Sequence, residues 1–590
     1  MFSASLDNPK GEQDMYELNK LIKSPFIVAA FLIVTLVACG PSNPPDHQIS
    51  ADTVYKNGRI YTVDSNHSWA EAVAITGDKI TYVGTNAQLS DHIGADTKVV
   101  DLHGRMMLPA LQDSHIHPIS GGVEALSCDL NSLVGLEDYK AEIANYAEEN
   151  PDLDWILGGG WSMAVFGAGG APSKIILDEL VPNRPVYLTS RDGHSGWANS
   201  LALEIAGITK DTPNPVDGII DHDPITGELV GSLQEGAMSL MTSHVPPTSL
   251  ETKIAGLRYA MEMLHSYGIT SIQDASVFRG DFGAYAAMDA RNELNLRVVA
   301  SQWWDHHSGT EQIQGFIASR EEFTKGHINA TTVKIMQDGV LENYTAAMLE
   351  PYLKGGGTKG IPMVEPELLK QSVAELDAAG FQVHFHAIGD AAIRQSLDAV
   401  EHARNVNGPL GNRHHISHLQ VIHPDDIPRF AALDVVANFQ PLWANADEYV
   451  TEMNVPDLGE ERVGWMYPIL SIEKTGATVA FGSDWSVSTA NPYAEMETAI
   501  THLGAFDEPY PEFIPEERIS LQSAIEAFTI NAAFVNKQEK ETGSIEVGKL
   551  ADLIVLDQNL FDIAPSKISD TKVLLTLFGG KPVLGDPGDL

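Results

Sequence analysis

A chain of 590 residues, 43% of them hydrophobic and 50 of them glycine, is long enough for several domains or for one large barrel with additions. Its 80 acidic against 37 basic residues leave a net charge of -43, which argues against nucleic acid or an anionic membrane surface as a partner. Such acidity instead keeps a surface hydrated.

Residues 1–38 read as a leader. In "KLIKSPFIVAAFLIVTLVACG" basic Lys20 and Lys23 precede an apolar run too short for a stable span, and small residues lead into a cysteine. Leu36-Val37-Ala38-Cys39 resembles a bacterial lipobox, which implies lipidation at Cys39 and export. The expected location is the periplasmic face, with Gly40 favouring the outer membrane and the lipid as the sole membrane contact. Polar, proline-rich residues 39–51 form a tether. Cys128 is then the remaining cysteine, so the mature chain has no internal disulfide.

Residues 52–108 read as short strands, with Asn57-Gly58 and Gly77-Asp78 supplying hairpin turns. Residues 536–590 return to the same idiom in "GSIEVGKLADLIVLDQN" and "VLLTLFGGKPV". The two ends are expected to pair into one small β-sandwich domain. Between them, residues 109–535 alternate short apolar strands with helical patterns. The eight candidate strands are "RMMLPALQDSHIH", "GITSIQDAS", "LRVVASQWW", "TTVKIMQDG", "FQVHFHAIGD", "RHHISHLQ", "DVVANFQP" and "ATVAFGSDW". Eight βα units predict an α/β fold, a distorted (β/α)8 TIM barrel, with chemistry at the strand C-termini. Residues 121–250 are too long for a connection and read as an insertion after strand one that roofs the site.

The unusual side chains fall at those strand ends. His115 and His117, two apart, project to one face of an extended strand. Lys334 lies on strand four, His386 ends strand five, His418 ends strand six, and Asp484 follows strand eight. Converging imidazoles and a carboxylate suit a divalent transition metal. An ordinary lysine pairing with Asp338 is the alternative for Lys334, and a purely structural metal-binding carboxylate the alternative for Asp484.

The D-S-H-x-H strand, the G-S-D end and the two-part β-domain resemble the amidohydrolase superfamily. "VKIMQDG", "HFHAIGD" and "DGHSGWANSLAL" are similar to the branch containing N-substituted formamide deformylases and related metal-dependent hydrolases, over residues 52 to 585. Two departures stand out: Ala110-Leu111-Gln112 where the family has Gly-Phe or Gly-Leu, and Ser417 where glutamate is common. The resemblance implies one metal on His115, His117 and Asp484, and a second on His386 and His418, with Lys334 bridging as a carbamate. Zinc is the expected ion, two per chain, with one if Lys334 stays unmodified. Metal would acidify water and polarise a carbonyl, while Asp484 accepts a proton and returns it to the departing amine. The implied reaction is hydrolysis of a carbon–nitrogen bond in a small amide, N-formyl or N-acyl compound. The residues alone permit an ester or phosphoester equally, and a mononuclear esterase or lactonase and an inactive binding module remain alternatives. His194, Trp161 and Gln440 are expected to touch substrate. His384 reads as packing beneath the ligands; His306, His307, His414, His415 and His423 read as surface or strand-edge residues; and Trp303, Trp304 and Trp443 as core or an aromatic wall. A homodimer is compatible with all of this.

Overall fold

The computed structural model describes residues 50–166, 170–506 and 508–590. The expected leader, Cys39 and nearly all of the tether lie outside them. No helix among the described residues is long and apolar enough to cross a membrane.

Eight parallel strands follow one another in chain order around a nearly closed barrel. They are β1 (Leu111–Ile116), β2 (Ile269–Val277), β3 (Arg297–Trp303), β4 (Ile328–Met336), β5 (Gln382–Ala387), β6 (His415–His418), β7 (Val436–Phe439) and β8 (Val479–Phe481). Each corresponds to one of the predicted stretches. The strands of a barrel are covered on both faces, so β5, β6 and β7 are buried throughout. Alternate residues divide the work: Phe381, Val383 and Phe385 join the outer core, whereas Gln382, His384 and His386 turn to the axis.

That axis is filled by hydrogen-bonded polar layers. At the bottom, Gln273 Nε2 and Thr332 Oγ1 donate to Gln382 Oε1 at 3.0 and 2.8 Å. One layer up, His384 lies 3.1 Å from Ser301 Oγ through Nδ1 and 2.9 Å from Ser417 Oγ through Nε2. The seam between first and last strands is closed by Ser114 Oγ donating to Phe481 O (2.6 Å) and Asp484 N–H donating to His115 O (2.8 Å). Gly482 permits this approach, since a Cβ there would lie 2.4 Å from His115 N.

Met106–Pro109 pairs antiparallel with Leu553–Leu556, so one six-stranded sheet draws on both chain ends. A four-stranded sheet that includes Thr53–Lys56 and Ala72–Thr76 packs against it over Tyr55, Ile60, Val73, Met107 and Val555. Gly77-Asp78 makes the expected hairpin, with Thr76 opposite Lys79. Asn57-Gly58 does not: Thr53–Lys56 and Arg59–Tyr61 belong to different sheets. The chain crosses between layers there, and the Leu102 side chain stands 2.5 Å from where a Gly58 Cβ would be.

Between β1 and β2 the chain builds a six-stranded sheet running from Cys128–Asp129 to Leu229–Glu235. Trp161, Trp197 and Leu188 form a core on one part of it, and Tyr187, Ile220 and Leu233 on another. The insertion is therefore held by packing of its own.

Candidate active site

At the C-terminal end of the barrel, Asp484 Oδ1 lies 3.2 Å from His115 Nε2 and 3.0 Å from His117 Nε2, while Oδ2 is 3.8 Å from His418 Nδ1. His115, His418 and Asp484 offer ligand atoms that all lie within 4.8 Å of one another. Within this set, His115 Nε2, His418 Nδ1 and Asp484 Oδ1 are buried without a hydrogen-bond partner. Buried polar atoms are nearly always paired, so three such atoms gathered within reach of one point call for a shared partner, which a cation would supply. Burial pulls the His115 imidazole down to about 3 and that of His418 well below its usual range, leaving both neutral with lone pairs available. Burial alone would raise the Asp484 carboxyl, but His115, His117 and His418 hold it well below the usual carboxylate range. The donor set fits a divalent transition metal.

The second half of the predicted constellation gathers beside the first. The His386 and His418 ring centroids are 4.4 Å apart, and His386 Nε2 lies 3.2 Å from Gly339 O. Lys334 is buried, and desolvation lowers its amine to about 7 against the opposing pull of Asp484. It does not pair with Asp338, whose oxygens accept backbone N–H groups from Ala347, Ile388 and Gly389 at 2.9, 3.0 and 2.9 Å. Among the described residues no hydrogen bond or ion pair engages the Lys334 amine.

Several supporting residues carried no assigned role in the sequence. Asp113 Oδ1 accepts the N–H groups of His115 and Ser483 at 3.1 Å each, and Oδ2 accepts Ser483 Oγ at 2.5 Å. It thereby fixes the loop bearing Asp484 against the strand bearing His115; burial lifts its carboxyl to about 7. His384 stands 2.8 Å from His115 Nδ1, orienting that ring from below as expected. Glu235, in the insertion, contacts His194 Nδ1 at 2.9 Å, and the His194 ring faces His386 at 5.2 Å. Burial works against protonating His194, yet the charges of Glu235 and Asp192 lift it to about 9. With Nδ1 taken by Glu235, His194 lines a cavity of about 640 Å³. His386, His418 and Asp484 line that cavity together with His194, Trp443 and Tyr449.

Two expected substrate contacts fall elsewhere. Trp161 is fully buried in the insertion, donating its indole N–H to Leu188 O (3.0 Å) and packing on Phe166 and Trp197. Gln440 is also fully buried and lies outside the cavity wall, because the turn Pro441–Trp443 starts at once and carries Trp443 over the site instead. The Trp443 ring stacks on His418, centroids 5.6 Å apart and planes 10° from parallel. His414 and His415, read as surface or edge residues, are both buried. His414 Nε2 meets Asp377 Oδ1 at 3.1 Å, and the His415 ring lies tilted against His384, centroids 4.1 Å apart.

An α/β barrel presenting histidine and aspartate donors at its strand ends, under an inserted roof, is the architecture of a metal-dependent hydrolase. The chain belongs to the amidohydrolase family, whose profile matches residues 98–584. It is 33% identical to Protein LONG AFTER FAR-RED 3 of Arabidopsis thaliana, over 94% of this chain and 97% of that one. It is 27% identical to an N-substituted formamide deformylase of Arthrobacter pascens, over 90% and 97% respectively. Among solved structures, an uncharacterized metal-dependent hydrolase from Pyrococcus horikoshii OT3 superposes with a TM-score of 0.69 at 23% identity, covering 87% of this chain and 99% of that one.

Proposed function

We propose that the protein hydrolyses a carbon–nitrogen bond in a small non-peptide amide, of the N-formyl or N-acyl kind, with a divalent metal, zinc by preference. The observation that carries this reading is the convergence of His115 Nε2, His418 Nδ1 and Asp484 Oδ1, buried and without hydrogen-bond partners, where His418 and Asp484 reach the cavity. Family membership and the likeness to a deformylase support the bond type.

His115, His117, His386, His418 and Asp484 would hold the metal, with Lys334 between the two halves. A dication there supplies the charge that polarises a carbonyl and acidifies water. This chain's own residues do the rest. Asp484, held as a carboxylate by the neighbouring histidines, accepts the proton released as water attacks and delivers it to the leaving nitrogen. His194, protonated against Glu235, offers Nε2–H to the oxygen on which charge develops. Trp443 covers His418 and excludes water from that side. The Lys334 amine, lowered by burial to about 7, is nucleophilic enough to add to carbon dioxide, losing a proton to become an anionic carbamate that could bridge two ions.

A mononuclear site is the second reading, and one observation favours it. The compact donor group has three members, while His386 Nε2 is directed at Gly339 O. Metal analysis distinguishes the two readings: wild type should hold two equivalents at the barrel in a bridged site and one in a mononuclear site, and His115→Ala should lose at least one of them. Asp484→Asn should reduce turnover of N-formyl and N-acyl amines by at least about 10³-fold, since it removes both metal ligand and proton carrier. Unchanged metal content in His115→Ala after reconstitution with zinc and bicarbonate would sink the metal reading. Full turnover by Asp484→Asn would sink the mechanism.

A further inference from the structure

Away from the barrel donors, the insertion and the barrel meet at a second group of metal-type side chains. Asp217 precedes the insertion strand Gly218–His222, and His306 and His307 follow β3 at the C-terminal face of the barrel. His306 Nε2 lies 2.6 Å and His307 Nε2 3.1 Å from the same oxygen, Asp217 Oδ2. The ligand atoms of all three residues lie within 4.8 Å of one another, and the two imidazole centroids are 4.2 Å apart.

Three features make this more than a chance encounter. First, the Asp217 side chain is 6% exposed and, among the described residues, meets no lysine or arginine. A buried carboxylate with two imidazole nitrogens gathered on one of its oxygens offers a ready-made set of donors for a cation. Second, both sides are built in advance. Asp217 O accepts the Gly236 N–H at 3.0 Å, and a Cβ on Gly236 would lie 2.2 Å from Asp217 Cγ, so the glycine leaves room for the carboxylate. Third, the histidine loop is tied down from within. Asp305 Oδ1 accepts the His307 N–H at 2.9 Å, Asp305 Oδ2 accepts Ser308 Oγ at 2.9 Å, and Gln312 Nε2 donates to the carbonyls of Asp305 and Ser308. Two imidazoles and a carboxylate, with one side open to solvent at His307, are the donor set of a borderline transition dication.

We propose that Asp217, His306 and His307 bind a divalent transition-metal ion, zinc by donor chemistry, that clips the insertion to the barrel. The site shares no residue with the barrel donors and does not depend on the hydrolase reading. Its consequence reaches the cavity nonetheless. Gly218–His222 pairs with Leu229–Glu235, and the last residue of that hairpin, Glu235, holds His194 at the cavity wall. A metal at the clip therefore fixes the strand that aims His194.

The test is zinc content per chain on the full-length protein equilibrated with Zn²⁺ alone, comparing wild type, Asp217→Asn, His307→Gln and His115→Ala. Asp217→Asn should hold one equivalent fewer than wild type. His307→Gln, at an exposed position where folding is not at stake, should bind that equivalent at least tenfold more weakly. His115→Ala should keep it. Hydrogen exchange supplies a second readout: Zn²⁺ should slow exchange across residues 217–236 in wild type and His115→Ala, and leave it unchanged in Asp217→Asn. Equal zinc affinity and content in wild type, Asp217→Asn and His307→Gln would overturn the clip. So would a His115→Ala protein that binds no zinc.

Discussion

Gly482→Ala tests how the barrel seam holds the site. The added methyl would lie 2.4 Å from His115 N and 2.7 Å from His115 Cβ, both anchored in β1, whereas ordinary contact begins near 3.4 Å. β1 and β8 must therefore part by about 1 Å. Overpacking of that kind costs about 1–3 kcal/mol. The parting also stretches the Asp484 N–H to His115 O and Ser114 Oγ to Phe481 O bonds, each worth about 1 kcal/mol. The gain from stiffening the unfolded chain is about 0.4–1 kcal/mol in the other direction. A net destabilisation of about 3 kcal/mol follows, read as a lowered urea midpoint on the full chain. Gly315→Ala is the control: this glycine sits in the helix Ile313–Phe323 with nothing within 4 Å of a Cβ, so alanine should stabilise by about 0.5–1 kcal/mol. If Gly482→Ala unfolds at the same urea concentration as Gly315→Ala, the claim that this contact sets strand separation is wrong.

Other perturbations separate structure from chemistry. Trp161→Ala should cost about 3–5 kcal/mol of stability, because it empties the insertion core, while leaving barrel metal content intact. Trp443→Ala should leave the unfolding midpoint nearly unchanged and lower kcat/KM by at least about tenfold, since it uncovers His418. Asp377 offers a pH test at the barrel base. Burial works against its ionisation, but His414, Asn407 and Asn412 prevail and hold it at about 2. Its folded-state pKa is depressed, so its contribution of about 2 kcal/mol is present above about pH 4 and lost as pH falls toward 2. Asp377→Asn should therefore destabilise at pH 7 and approach wild type below pH 3; a pH-independent difference would contradict this. Cys39→Ser should abolish incorporation of labelled fatty acid and release the protein from membranes. Continued incorporation would refute the lipobox reading.

The barrel was legible because its strands are short apolar runs between helical patterns, and because each donor sits where a strand stops. Distance along the chain hid much of the rest. Glu235 reaches His194 from 41 residues away, through a hairpin whose pairing no local pattern announces. Trp161 lies in a Gly-Gly-Gly-Trp run that suggests an exposed rim, yet its indole partner, Leu188 O, is 27 residues on in a neighbouring strand. Gln440 was placed correctly at the end of β7 and misread in its reach, because the tight turn beginning at Pro441 gives the cavity to Trp443. Asp113 stood inside the D-S-H-x-H motif without a role; only the folded chain shows that it accepts hydrogen bonds from Ser483, 370 positions later. Asn57-Gly58 has hairpin chemistry, but neighbouring strands were claimed by two different sheets.

The seam between β1 and β8 also sets the order in which the molecule can be completed. Ser114 and Phe481, joined there, are 367 residues apart, and the donors His115 and Asp484 lie on opposite sides of the same junction. Closing so long a loop is entropically costly and must precede the contacts that reward it. No partly folded chain lacking either end can assemble the trio His115, His418 and Asp484. Completion of the barrel donor set therefore waits on closure of the seam, and a chain truncated before residue 484 lacks the carboxylate that completes the trio.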